Sequence, residues 1–244
     1  DVALTTKSML ETTYEAFYRP ENMSLMLGGD INLSIVDFLN DYFKKFKHTK
    51  RKIVRLDGLL ESKILSHDFI TYGDTNVPYF VYEQLLPLDL ELRDVAVLSV
   101  LLDLLFTDFN PLIEELKDKK ILETGFDYSF SVGRRLASFN VTGFSNKING
   151  IKDAINYVID NTVITEDHLR LVKKTFVSDY IRNLDKPDRV CDNNVDDSFN
   201  LFDSNEELAL IEAVSIEDVR DYILKIKANP KKIFAIFDKL KKSE

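Results

Sequence analysis

Apolar residues recur along the chain in two patterns. In some segments they have the spacing of one face of a helix, and in others they alternate with polar residues as in a strand. The first pattern predicts helices over residues 5–18, 35–46, 92–106, 111–120, 148–159, 169–181 and 215–228. The second predicts strands over residues 23–27, 68–72, 79–84, 126–131, 136–142 and 233–237. Before the last helix, residues 185–207 are acidic and predicted to be irregular at first and helical near 206–213.

Two pairs of predicted strands are joined by short turn-rich segments. The strands at 68–72 and 79–84 are predicted to pair antiparallel across such a loop. The strands at 126–131 and 136–142 are predicted to form a hairpin with one face exposed to water. Helices and antiparallel strands together predict an α+β fold.

The two ends of the chain carry the same order of features at an offset of 210 residues. Thr5 and Ser215 are each predicted to cap a helix, Pro20 and Pro230 each follow it, and a short apolar strand comes next in both copies. Such repetition is typical of duplicated units. Since the second copy closes a domain, residues 1–46 are predicted to be the terminal helix–strand–helix of a preceding domain that is mostly absent.

The remaining domain boundaries follow from this duplication. Residues 47–59 are predicted to be a basic linker, and residues 60–244 a complete domain. The start at Asp1, with neither methionine nor leader, is then expected to be a cut inside a longer protein.

Composition restricts the class of protein. With 45% hydrophobic and 30% charged residues, the chain can bury a core. A net charge of −9 argues against nucleic acid or an anionic membrane as the main partner. The single cysteine, Cys191, excludes an internal disulfide and a thiolate zinc cluster, which predicts a reducing, cytoplasmic location. Val95–Phe106, the longest apolar run, contains Ser99 and Asp103 and is predicted to be a buried helix rather than a membrane span.

Several short motifs resemble known sites but lack residues that those sites require. Asp192–Asp196 resembles the start of a calcium loop, but Asp197 replaces the required glycine and Asp203 the required glutamate. Gly28-Gly29 lacks the G-K-[ST] of a phosphate loop, so a turn that ends a strand is the preferred interpretation. Cys191 has no histidine in its sequence context, which argues against a nucleophile.

Several segments resemble the domain junction of the pitrilysin/insulysin/mitochondrial-processing-peptidase family of inverted-motif zinc peptidases. They are Thr5–Leu10, Tyr14–Met23 and Leu25–Asp30, and the resemblance continues through Asp94–Phe106, Asn110–Lys117, the hairpin and Ile164–Leu169. The chain is most similar to bacterial half-size members, whose subunits hold two homologous domains. The resemblance implies that each domain is a mainly antiparallel β-sheet with helices packed on one face.

The resemblance also implies an active domain, with zinc on an H-x-x-E-H helix, followed by an inactive homologue. The three histidines are His48, His67 and His168, and no two of them have metal-ligand spacing. The resemblance therefore implies no catalytic residue, metal ligand or cofactor in this segment, and zinc in the missing N-terminal domain.

In this family the second domain contributes substrate-binding surface through an arginine and a tyrosine seven residues apart. The matching positions hold Lys117 and Thr124, and Tyr128 fills the second role if four residues are inserted. A solvated helix end is the alternative interpretation of Lys117. Arg134 and Arg135 follow the hairpin turn, where either surface ion pairing or substrate contact is consistent with the sequence.

The resulting hypothesis is a non-catalytic C-terminal half of a zinc peptidase that binds peptide or unfolded polypeptide. Its other expected partners are the homologous active-type domain or subunit and a second subunit in a homo- or heterodimer, with no nucleic acid and no membrane. A structural or partner subunit of the same fold, without enzymatic activity, is the alternative. An unrelated α+β binding module remains open if the repeat is a coincidence.

Overall fold

The computed structural model describes residues 2–46, 64, 66–132, 136–199 and 204–240, with the backbone alone at 196–199 and 204–205. The predicted linker at 47–59, together with His48, Arg134 and Arg135, lies outside the described residues. Two compact units are present, one formed by residues 1–57 and 179–204 and the other by residues 58–178 and 205–244.

The first unit contains helices α1 (Lys7–Phe17) and α2 (Ser34–Phe43), the end of α6 (Glu166–Leu184), and α7 (Pro187–Phe199). The cap of α1 is Thr6, whose Oγ1 accepts a hydrogen bond of 3.3 Å from the backbone N–H of Met9, so the predicted cap Thr5 is wrong by one residue. The predicted strand at 23–27 is also wrong. This segment pairs with no described strand, and a strand needs a neighbour for its backbone hydrogen bonds.

Helix α7 replaces the irregular segment that was predicted to begin at residue 185. Pro187 fits the first helical turn because its fixed φ suits that position, and Asp188 lies favourably near the positive end of the helix dipole. Asp192–Asp196, the calcium-loop candidate, is helical and therefore cannot adopt that loop. A Cβ on Gly28 would lie 2.7 Å from the sulfur of Cys191 and 3.0 Å from the carbonyl oxygen of Pro187, so α7 packs directly on the segment that contains this glycine.

Among its described residues, the second unit is built on a sheet of five strands. They are β1 (Asp68–Gly73), β2 (Tyr79–Leu85), β3 (Asp127–Val132), β4 (Ala137–Phe144) and β5 (Lys232–Lys239). The order is β1-β5-β2-β4-β3, with β1 and β5 parallel and the other neighbours antiparallel. The predicted α+β class with a mainly antiparallel sheet is confirmed, as is the β3–β4 hairpin.

The predicted pairing of β1 with β2 is wrong because β5 lies between them. Strands two places apart are about 10 Å from each other, which the five residues at 74–78 can span. Strand β5 comes from the far end of the sequence and takes the second position in the sheet, next to the central strand β2.

Helices α3 (Leu92–Phe106), α4 (Pro111–Asp118), α5 (Ile151–Asn161), α8 (Ser204–Ala213) and α9 (Ile216–Ala228) complete the second unit with most of α6. Helix α3 contacts α5, α9 and β3, and every residue from Val95 to Phe106 except Asp103 is buried. The stretch Leu92–Asp118 is long and apolar enough to cross a membrane, but 67% of its most apolar window is buried inside the protein. We therefore interpret this stretch as part of the core of the domain.

The helices cover one face of the sheet. The covered face consists of side chains that the strand register places on the same side and that are all buried: Phe80, Tyr82, Gln84, Phe139, Val141, Phe234 and Ile236. Their neighbours along each strand point to the opposite face, which we call the outer face.

Candidate functional site

Of the predicted substrate-binding residues, the two that the structure describes, Lys117 and Tyr128, lie on helix α4 and strand β3. Asn110, which is 1% exposed, begins α4 by accepting a hydrogen bond of 3.1 Å from the backbone N–H of Leu112. Its Nδ2 donates to the carbonyl of Leu105 and to Thr162 Oγ1, both at 2.8 Å. This one side chain fixes the position of α4 relative to α3 and to the end of α5.

Lys117 lies in the last turn of α4 and is held by carboxylates. Its Nζ donates to Asp108 Oδ1 at 2.7 Å and lies 3.8 Å from Glu114 Oε2. The hydrogen bond to Asp108 raises the pKa of Lys117. A Cβ on Gly125 would lie 3.3 Å from Asp108 Oδ1, so this pair is adjacent to the segment leading into β3. An ammonium has three donors, and Lys117 can therefore still donate to a peptide carbonyl.

Tyr128, in β3, points to the helix-covered side of the sheet. Its hydroxyl donates to Asp103 Oδ1 at 2.5 Å, and its ring centroid lies 6.2 Å from that of Phe106. Burial and the bond to Asp103 both raise the pKa of Tyr128. The phenol oxygen retains an acceptor lone pair, while its proton is directed into the protein.

The structure groups some of the predicted residues and separates others. Lys117 and its acid partner lie beside Gly125, just before β3 begins, and Tyr128 is the second residue of that strand. Arg134 and Arg135 are outside the described residues, so their position relative to Lys117 and Tyr128 stays a prediction. Thr124 is exposed, and its hydroxyl donates weakly to the carbonyl of Gly125 at 3.3 Å.

Strand β3 is an edge of the sheet. Within the described ranges it pairs with β4 alone, so its other side presents backbone donors and acceptors. Asp127, Ser129 and Ser131 project to the outer face and are exposed. An unpaired edge with short polar side chains is suited to accepting an added peptide strand.

A second recess was not anticipated from the sequence. A cleft of about 660 Å³ lies where the end of β2 meets the end of α9. At its base, Gln84 donates from Nε2 to the carbonyl of Ile226 at 2.8 Å and accepts from the hydroxyl of Tyr82 at 3.1 Å. Gln84 follows Phe80 and Tyr82 on the buried face. A polar residue at the third position of this apolar alternation is the one sequence signal that could have indicated the cleft.

The described histidines form no metal site. His67 Nδ1 lies 2.7 Å from the carbonyl of Lys232. His168 lies in the first turn of α6, its Nε2 is buried without a partner among the described atoms, and burial lowers its pKa. Across the described ranges, no three histidine, cysteine, aspartate or glutamate side chains are grouped to hold a metal ion. These residues therefore do not fit a zinc site.

Comparison with solved structures shows the same fold in bacterial proteases. A protease from Helicobacter pylori superposes with a TM-score of 0.83 and 16% identity, over 97% of this chain and 60% of that one. An M16-like peptidase from Alicyclobacillus acidocaldarius superposes with a TM-score of 0.79 and 16% identity, over 98% and 59%. The ferredoxin protease FusC, solved as a variant in complex with Arabidopsis ferredoxin, superposes with a TM-score of 0.53 and 13% identity, over 72% and 21%.

This chain therefore spans only about three fifths of the length of the first two structures. No curated protein matches it. Residues 5–176, well over half of the chain, match the peptidase M16 inactive domain, which confirms the resemblance drawn from the sequence. The chain belongs to the peptidase M16 family, and the region matched is of that family's inactive-domain type.

Proposed function

We propose that this chain is the non-catalytic C-terminal part of a two-domain zinc peptidase, in which it binds peptide or unfolded polypeptide beside a homologous active-type domain. The observation that carries the proposal is that α1, whose sequence surroundings resemble those of α9, buries none of its residues, whereas α9 has a buried apolar face. The coverage of 59% and 60% of two related proteases leaves room for that domain.

The two closing helices correspond through their caps. Ser215 caps α9 by accepting a hydrogen bond of 3.1 Å from the backbone N–H of Asp218, as Thr6 caps α1. The offset between the caps is 215 − 6 = 209, one less than the offset between the prolines. In α9 the buried face consists of Ile216, Val219, Tyr222, Ile223 and Ile226.

The equivalent face of α1 includes three large apolar residues. Leu10, Tyr14 and Phe17 are 61%, 62% and 54% exposed, and α1 buries none of its residues. Contiguous exposed apolar surface of this kind marks an interaction site. We infer that the missing domain covers it as the second unit covers α9.

The substrate surface that we propose runs along the β3 edge and the end of α4. An extended peptide would pair with the backbone of β3, and Lys117 would donate to one of its carbonyls. Strand addition depends on backbone groups, which suits substrates without a fixed sequence. FusC, which was solved with ferredoxin, supports a polypeptide ligand for this fold. We also propose a dimeric assembly in a reducing compartment, the latter because the chain has one cysteine.

Kinetics of the complete protein test the substrate surface. Lys117→Met should raise the KM for a peptide substrate several-fold with little change in kcat. The reason is that Lys117 would bind the substrate equally in the ground state and in the transition state. Lys119→Met is the matched control, since Lys119 directly follows α4 and forms an ion pair with Glu115 but is more exposed than Lys117. Equal KM values for both variants would contradict the role of Lys117. A complete protein that binds polypeptide without cleaving it would favour the scaffold alternative.

A further inference from the structure

The cleft between the end of β2 and the end of α9 has walls that the chain itself holds in place. Gln84, at its base, is fully buried and hydrogen-bonded to two neighbours. Asn229 fixes one wall, because its Nδ2 donates to the carbonyl of Leu85 at 2.6 Å and its Oδ1 accepts from the backbone N–H of Lys231 at 2.9 Å. The volume of about 660 Å³ lies within the range of about 300–1,000 Å³ that is usual for small-ligand sites.

Four charged side chains line the cleft, and only two of them pair with each other. Lys225 Nζ lies 3.7 Å from Asp94 Oδ1 and 5.1 Å from the ring centroid of Tyr222. Across the described residues, neither the carboxylate of Asp89 nor the ammonium of Lys231 has a hydrogen-bond or ion-pair partner. The cleft therefore offers one unpaired negative charge and one unpaired positive charge.

The rest of the lining consists mainly of apolar side chains together with free backbone groups. The apolar side chains are those of Leu85, Leu86, Pro87, Leu90, Ile226 and Ala228. In the part of the chain that the structure describes, the backbone N–H groups of Asp89 and Leu90 donate to no acceptor. Such groups can donate to a ligand carbonyl as well as to water.

These features define the groups that a ligand for the cleft must carry. It needs a cation for Asp89, an anion for Lys231, a carbonyl for the free N–H groups, and apolar substituents for the remaining walls. A short peptide with both ends free carries all four, whereas an internal stretch of polypeptide lacks both charges. We propose that the cleft binds a short apolar peptide, with its amino group on Asp89 and its carboxylate on Lys231.

This peptide site is separate from the proposed substrate surface. At the cleft, Leu85 pairs with Ser138 at the start of β4. On the side of α4, the backbone N–H of Glu123 donates to the carbonyl of Phe144 at the end of β4. Six residues of strand separate Ser138 from Phe144, which is about 20 Å. The peptide site does not depend on the proposed function, which the KM of the Lys117→Met protein tests by itself.

Isothermal titration calorimetry of the complete protein tests the site with three peptides of one sequence. Trileucine carries both charges, its N-acetyl form lacks the cation, and its C-terminal amide lacks the anion. Trileucine should bind at least about tenfold more tightly than either blocked form, because each blocked form loses one charge-assisted interaction.

Two variants assign the ends of the peptide. Asp89→Asn should weaken trileucine binding about tenfold and leave the affinity for the acetylated form unchanged. Lys231→Met should weaken trileucine binding by a similar factor and leave the affinity for the amide unchanged. Lys174→Met removes an exposed lysine of α6 outside the cleft, so it is the matched control and should alter none of the three affinities.

Each other outcome overturns the proposal. Equal affinities for the three peptides would show that neither charged end is recognised, and no binding of trileucine at millimolar concentration would show that the cleft does not take a peptide. Tighter binding of the blocked forms would assign the cleft to an internal stretch of polypeptide. Weakening by Lys117→Met instead of by Asp89→Asn and Lys231→Met would place the peptide on the substrate surface.

Discussion

Asn110 connects three elements of the second unit, and Asn110→Ala should lower the free energy of unfolding by about 3 kcal/mol. The helix cap is worth about 1 kcal/mol, because Oδ1 accepts from the backbone N–H of Leu112 at the start of α4. Each of the two buried bonds from Nδ2, to Leu105 and Thr162, adds about 1 kcal/mol. Alanine leaves these partners buried and unsatisfied.

Urea unfolding followed by circular dichroism measures this loss. A domain of this size loses about 2–4 °C in Tm for each kcal/mol, so a decrease of about 6–12 °C is also expected. Asn110→Ser is the informative control, because a serine hydroxyl keeps the cap acceptor but cannot replace both donors; it should lose about 2 kcal/mol. A loss below about 1 kcal/mol for Asn110→Ala would refute this reasoning.

Three further changes test other parts of the structure. Lys120 lies two residues after the end of α4, is exposed and has a φ of +52°, so Lys120→Gly should stabilise the second unit by about 0.5–1 kcal/mol in urea unfolding. Lys119→Gly, at a helical φ, should destabilise it. Burial lowers the pKa of His168, so the unfolded state binds the proton more tightly and stability should fall as pH drops through about 6.5. His168→Gln should reduce that fall between pH 7.5 and 5.5, and parallel curves would contradict it. Gly28→Ala should increase amide hydrogen exchange in the first unit, because the added methyl group meets atoms of α7. Gly150→Ala is the control: its Cβ meets nothing within 4 Å, so hydrogen exchange around residue 150 should not change.

The local pattern predicted the parts of the fold whose contacts are close in sequence. The β3–β4 hairpin joins neighbouring segments, and α3 is apolar on every side because it is buried on every side. The insertion of β5 between β1 and β2 depends on residues more than 140 positions away, which no local pattern contains. The local pattern missed helix α7 for a related reason. The segment on which α7 packs contains Gly28, which is far from α7 in the sequence.

The candidate site was only partly predictable. The sequence placed Lys117 at a helix end and Tyr128 in a strand, but their acid partners, Asp108 and Asp103, depend on how α3 packs. Those carboxylates engage both side chains within the chain and reduce the charge that Lys117 could offer to a substrate.

Zinc analysis of the complete protein, compared with residues 1–244 alone, tests the central claim most directly. The account predicts stoichiometric zinc in the complete protein and none bound by residues 1–244, because the described residues hold no group of metal ligands and the sequence has no H-x-x-E-H. Stoichiometric zinc on residues 1–244 would contradict the assignment of this half as non-catalytic. A complete protein without zinc would contradict the assignment of its parent as a zinc peptidase.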